Sequence, residues 1–183
     1  VGATGTLAWT GSNAWSFAVK GENLDPGKLA PSWPGKVGFT AQVNGAGLNA
    51  SADLDVGLQR AAGTLRGEPM SAKGRVKRRG SNITFESVDA RLADAHASVD
   101  GTFGNPRDIR LALDAPHLGR VVPGLSGSIV VKGRLSGPPA TARLSGTLIG
   151  HDLQFSALSA GDVYAGADID LSDKHGSHLD LKA

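Results

Sequence analysis

Few residues in this chain of 183 have the type and spacing for covalent chemistry. His175-Gly176-Ser177-His178 offers two imidazoles near each other, the beginning of a metal site. Zinc needs three or four converging protein ligands, and the surrounding Gly/Ser turn supplies no third, so the segment reads as a solvated turn. Ala157-Leu158-Ser159-Ala160-Gly161 half-resembles a nucleophile elbow, but its first glycine is missing and no helix follows to strain the Ser159 turn. His151-Asp152 reads as an outward-facing pair at a strand start. There is no Cys, which excludes disulfides, thiolate metal sites and cysteine nucleophiles. Phosphate-cradling glycine loops need a strand before and a helix after, and the helix is lacking. The sequence therefore assigns no catalytic residue, no metal ligand and no cofactor, and an enzyme is not expected.

Lys73, Arg75, Lys77, Arg78 and Arg79 form the one dense basic segment. A single-strand nucleic-acid binder interleaves such cations with stacking aromatics, and none is here. A formal net charge of +2 does not call for a polyanionic partner either. Met70, Ala72, Gly74 and Val76 hold the opposite parity, so the cations fit a solvated strand face that ends in a hairpin and discourages edge pairing.

The elements behind these residues are strands. Fourteen Asp against three Glu, with 26 Gly, disfavour helix interiors. Apolar residues instead alternate with polar ones: Trp15/Phe17/Val19, Val37/Phe39/Ala41/Val43, and Leu48/Ala50/Ala52/Leu54/Val56/Leu58. The pattern continues in Ala95/Ala97/Val99, Ile109/Leu111/Leu113, Ile129/Val131/Leu135 and Val163/Ala165/Ala167/Ile169/Leu171. Alternation at period two describes strands with one apolar and one polar face. Turn residues separate the runs at Asn44-Gly45-Ala46-Gly47, Arg79-Gly80-Ser81-Asn82, Asp100-Gly101, Gly104-Asn105-Pro106 and Gly137-Pro138-Pro139. Short echoes recur, as in Gly5-Thr6-Leu7, Gly63-Thr64-Leu65, Gly101-Thr102-Phe103 and Gly146-Thr147-Leu148. About a dozen strands joined by tight turns make an all-β antiparallel meander. The alternation slips between Phe85 and Val88, as at a bulge. The only helical candidates are short, Leu58–Ala62 and Leu118–Val122, and Leu24–Gly38 reads as a loop with Trp33 packed down. No apolar run reaches the ~20 residues that span a bilayer. Val1 enters directly into strand-like sequence, so residues 1–183 are expected to be one continuous segment of a larger protein.

The order and spacing of several motifs point further. Trp15-Ser16-Phe17-Ala18-Val19-Lys20-Gly21-Glu22-Asn23-Leu24-Asp25-Pro26-Gly27 is followed by Trp33-Pro34-Gly35. Asp114-Ala115-Pro116-His117-Leu118 then leads to Leu125-Ser126-Gly127 and to Gly133-Arg134-Leu135-Ser136-Gly137-Pro138-Pro139. Across most of its length the chain resembles the repeat region of the TamB family, in the AsmA-like superfamily. The resemblance implies a long β-sheet curled into an open, taco-like groove with an apolar concave face. It further implies a non-enzymatic role in carrying phospholipids from inner to outer membrane through the periplasm, linked to outer-membrane protein assembly. The expected partners are phospholipid acyl chains and, through a C-terminal part beyond this segment, the outer-membrane barrel protein TamA. The inner-membrane anchor would also lie outside the segment.

On this reading the apolar parity lines the groove: Trp15, Phe17, Val19, Val37, Phe39, Val43, Leu54, Val56, Val76, Phe85, Val99, Leu111, Leu113, Ile129, Val131 and Ile169. Exposing a sixteen-carbon tail to water costs roughly 12 kcal/mol at ~0.8 kcal/mol per CH₂, so a carrier must offer unbroken apolar cover. A dozen strands ~4.8 Å apart would carry such cover over roughly 55 Å. Small residues on the same parity, among them Ala41, Ala52, Gly74, Ala97 and Gly133, would leave room for a guest. Other readings use the same pattern: a structural adhesin or β-solenoid, a closed barrel or sandwich with a dry core, or a chaperone-like module holding client strands at its sheet edge.

Overall fold

The computed structural model describes residues 2–7, 13–47, 52–171 and 177–182. Leu48 and Ala50 of the expected alternation, and His175 of the paired imidazoles, lie outside these residues. The chain divides into two compact units, 1–92 and 93–183.

The first unit is an antiparallel meander of β1 (Gly2–Leu7), β2 (Ala14–Leu24), β3 (Gly35–Ala46), β4 (Asp53–Leu65), β5 (Glu68–Arg79) and β6 (Asn82–Leu92). Strand order follows chain order, and β1 pairs with β2 alone, so the sheet does not close. Two-residue turns join β4 to β5 and β5 to β6. Arg66 and Gly67 both take positive φ (54° and 82°), the twist a tight hairpin requires. Between β2 and β3 a single 3₁₀ turn, Pro26–Lys28, is capped by Asp25, whose Oδ1 accepts from Gly27 N at 2.9 Å and Gly35 N at 3.2 Å. Trp33 is half-buried there, with the Arg66 guanidinium 5.7 Å from its ring centre.

The second unit repeats the plan with β7 (Ala95–Phe103), β8 (Arg107–Ala115), β9 (Leu125–Gly137), β10 (Arg143–Phe155), β11 (Leu158–Asp170) and β12 (His178–Lys182). Neighbours are again antiparallel and consecutive, and β12 pairs with β11 alone. One short helix, α1 (Leu118–Val121), sits between β8 and β9, and a 3₁₀ turn, Pro139–Thr141, precedes β10. The fold is all-β and antiparallel, as the alternation predicts, and open, as the resemblance implies.

Four local expectations are corrected. Asn44-Gly45-Ala46-Gly47 is not a turn throughout: Asn44, Gly45 and Ala46 lie in β3, paired on both sides. Leu58–Ala62 is not helical but lies inside β4, where strands pair on both sides and Gln59 and Arg60 form a bulge. Asp100-Gly101 is not a turn: it lies within β7, and Gly101 takes φ +119° in mid-strand. His151-Asp152 sits late in β10 rather than at a strand start, at a shift in register against β9 with Asp152 at φ +50°. The slip expected between Phe85 and Val88 is a bulge, with Ser87 at φ +48° opposite a register shift between Lys73 and Arg75.

Burial is sparse. Among the described residues the buried hydrophobics are Val37, Ala41, Ala61, Ala95, Ala115, Leu118 and Ala142, and no large side chain is fully buried. No polar or charged residue among them is buried. Among the described residues the apolar faces of these sheets are mostly half-buried, where the inner faces of a sandwich core would be buried.

Candidate functional site: the apolar sheet faces

Register turns the alternation into continuous rows. In the first unit Gly5, Phe17, Val43, Val56, Val76 and Phe85 stand opposite one another in sequence, crossing all six strands. A parallel row runs Ala3, Val19, Ala41, Leu58 and Gly74. On one side Leu7, Trp15, Gly45 and Leu54 continue the same face; on the other are Gly21, Phe39, Ala61 and Ala72, then Leu24, Val37, Gly63 and Met70. Ten of the residues named from parity, Trp15 through Phe85, therefore share one face. All are half-buried except Val37, which is buried.

The second unit shows the same construction. Ala97, Leu113, Val131, Leu148, Ala165 and Leu181 form one row, and Val99, Leu111, Gly133, Gly146, Ala167 and Leu179 form the next. Ile169 ends the row Ile109, Leu135, Leu144, and Ile129 lies between Ala115 and Gly150. Leu111 stands beside Gly133 and is 40% exposed, the most open of the six predicted here.

Several residues of these faces escaped parity reasoning. Leu153 and Phe155 follow the Asp152 bulge, which exchanges odd for even positions, so they join a face held upstream by Leu144, Gly146, Leu148 and Gly150. With Leu118, Leu125, Ile129, Leu158 and Ala160 they line an apolar hollow of about 360 Å³. Leu118 of α1 walls it, packed on Ala95 and Ala115. Its only sequence signal was the short helix between two prolines.

The opposite faces carry the ion pairs, although in the second unit Val130, Ile149 and Tyr164 form an exposed apolar row there. Arg75 grips Asp55 through two bonds, Nε–Oδ1 at 2.5 Å and Nη2–Oδ2 at 2.7 Å. That hydrogen-bonded guanidinium holds the Asp55 carboxyl below the ordinary carboxylate range, against a smaller opposing push from burial. Lys77 meets Glu86 at 2.6 Å. In the second unit Arg134 pairs with Asp108 at 2.9 Å, and Arg143 pairs with Asp168, whose carboxyl is lowered by that hydrogen bond. Two of the five cations of the basic segment, Arg75 and Lys77, are thus neutralised by carboxylates of neighbouring strands.

Arg78 is the exception to its expected place. It shares parity with Val76, stands opposite Leu54 and Ile83, and donates from Nη2 to the Ala52 carbonyl at 2.7 Å. It belongs at the margin of the apolar face because β5 continues unbroken to Arg79.

Of the residues tested for chemistry, His151 Nδ1 lies 2.7 Å from Asp162 Oδ1 and His178 Nε2 lies 3.1 Å from Asp180 Oδ2. Ser159 is exposed near the start of β11. Among the described residues no three His, Asp or Glu side chains converge as metal ligands. No helix among them is long and apolar enough to cross a membrane.

Comparison with known proteins gives one family. The model of "TamB, N-terminal domain" matches residues 1–183. No solved structure matches the chain.

Proposed function

The chain belongs to the TamB N-terminal domain family, and from that premise we propose that its apolar sheet faces shelter phospholipid acyl chains on their way between the two membranes of the cell envelope. The observation that carries this reading is the uninterrupted row Phe17–Val43–Val56–Val76–Phe85, whose members are half-buried and not packed into a core. A hydrocarbon tail laid along such rows leaves water at ~0.8 kcal/mol per CH₂. The polar heads would stay outside, toward the rims. Transport of this kind needs no bond-making residue, and the role is non-enzymatic. The proposal extends to a periplasmic location and to a linked part in outer-membrane protein assembly with TamA.

Site-specific photocrosslinking in living bacteria tests it, with the probe at Phe39 and separately at Arg75 of the full-length protein. Phospholipid adducts are expected at Phe39 and not at Arg75. A demonstrably reactive probe that captures no lipid at Phe39 would return the face to a dry, structural or client-binding role.

A further inference from the structure

All three aromatic side chains on β2 and β3 stand directly opposite a glycine: Trp15 opposite Gly45, Phe39 opposite Gly21, and Phe17 opposite Gly5. The rings occupy the space a side chain at each glycine would fill. A Cβ on Gly45 would stand 2.2 Å from Trp15 Cζ2 and 2.4 Å from Cε2, and one on Gly21 would stand 2.5 Å from Phe39 Cε1. No backbone conformation asks for glycine at these places, since none of the three is among the positive-φ positions. The Trp15 ring is further tethered by its Nε1, which donates to the Gly47 carbonyl at 3.0 Å, and it contacts Phe17 with ring centres 5.8 Å apart. The rings therefore lie down along the sheet, where aromatic rings over cross-strand glycines also stabilise pairing.

We propose that Gly21 and Gly45 are positioning residues for lipid passage: by letting Phe39 and Trp15 lie flat, they keep the apolar face level, so that an unbranched hydrocarbon chain can rest on it without lifting into water. This inference rests on the acyl-chain reading above. A β-carbon at either glycine would push its ring upright and put a step in the floor. A chain crossing that step loses contact over a few methylenes, enough for about a tenfold loss of occupancy. At Gly5 an added atom would also meet the Ser16 carbonyl at 2.3 Å, so that position does not isolate the ring effect.

The test uses full-length protein with a photoprobe at Val43, between the two rings on the same face. Gly45→Val and Gly21→Val are expected to lower phospholipid adducts about tenfold. The double variants Gly45→Val/Trp15→Ala and Gly21→Val/Phe39→Ala are expected to restore them to within about twofold. In full-length protein labelled with 5-fluorotryptophan, the fluorine signal assigned to Trp15 by its loss in Trp15→Phe reports whether Gly45→Val lifts the ring, with a shift of that signal expected. Rescue by removing the ring shows that the loss runs through the ring. Urea midpoints of the same variants separate a level floor from mere sheet stability, because a level floor predicts adduct yields that do not follow the midpoints. Adducts at the wild-type level in a single variant whose ring has moved would overturn the inference. So would an unshifted Trp15 signal in Gly45→Val, or failure of both double variants to recover. If the parent protein with the Val43 probe captures no phospholipid, the acyl-chain reading itself fails, and this inference with it.

Discussion

The Arg75–Asp55 pair shows how a charged residue serves a sheet whose other face must remain apolar. Both side chains lie on the solvated side, and Arg75 holds the Asp55 carboxyl below its ordinary value of about 3.9. The folded state thus binds that proton less readily than the unfolded chain. The pair's contribution is complete above the ordinary value and is lost as pH falls through it toward the depressed one. Exposed ion pairs contribute little, so the effect is small. Asp55→Asn should lower the denaturation midpoint by more at about pH 7 than at about pH 3, below the ordinary carboxylate value. An equal gap at both pH values, in chemical denaturation, would show that the charge is not responsible. At this scale the sequence was legible: parity alone separated Arg75 and Lys77 from Val76. Arg78 was misplaced because a run of cations looks like one face until the strand is followed to its end.

Elements carry what parity could not. Bulges interrupt the alternation near Asn23, at Gln59 and Arg60, at Ser87 and at Asp152, and three of these residues take positive φ (51°, 48° and 50° for Asn23, Ser87 and Asp152). Each inserts a residue without partner and sharpens the local bend. Only the slip at Ser87 was visible in the sequence, because Phe85 and Val88 flank it with bulky apolar residues. The one in β4 hides in Leu58-Gln59-Arg60-Ala61-Ala62, whose good helix formers suggest a turn of helix. That beyond His151 conceals Leu153 and Phe155. The helix α1, by contrast, was legible from its bounding prolines. Its Leu118 is 6% exposed and packs on Ala95 and Ala115. Leu118→Ala should destabilise the protein by about 2–3 kcal/mol, the low end for a buried leucine because the site is shallow. Urea denaturation would check this, and a change below about 0.5 kcal/mol would mean that α1 is not held by that side chain.

For the molecule as a whole, an open meander departs from a globular domain in having wide apolar faces and few buried side chains. A charge on those faces should matter more for lipid passage than for folding. Asp at Phe39, Phe85 or Val131 should obstruct phospholipid transport by the full-length protein while sparing expression, whereas Arg75→Asp and Lys77→Asp should have far weaker effects. Normal transport in all three face variants, measured as delivery of labelled phospholipid to the outer membrane, would sink the assignment. The strictly consecutive strand order has a consequence for how such a chain is made. Within each unit every strand after the first pairs with the one just synthesised, and three of those partners, β5, β6 and β11, are reached through a two-residue turn. Local pairing of this kind demands little loop closure and favours fast folding. A chain emerging N-terminus first can thus be zipped up in the order of its arrival, each newcomer covering the last open edge and offering its own. The protein need never hold many unpaired strands exposed at once, and its growing end would be the one place where a chaperone has to stand guard.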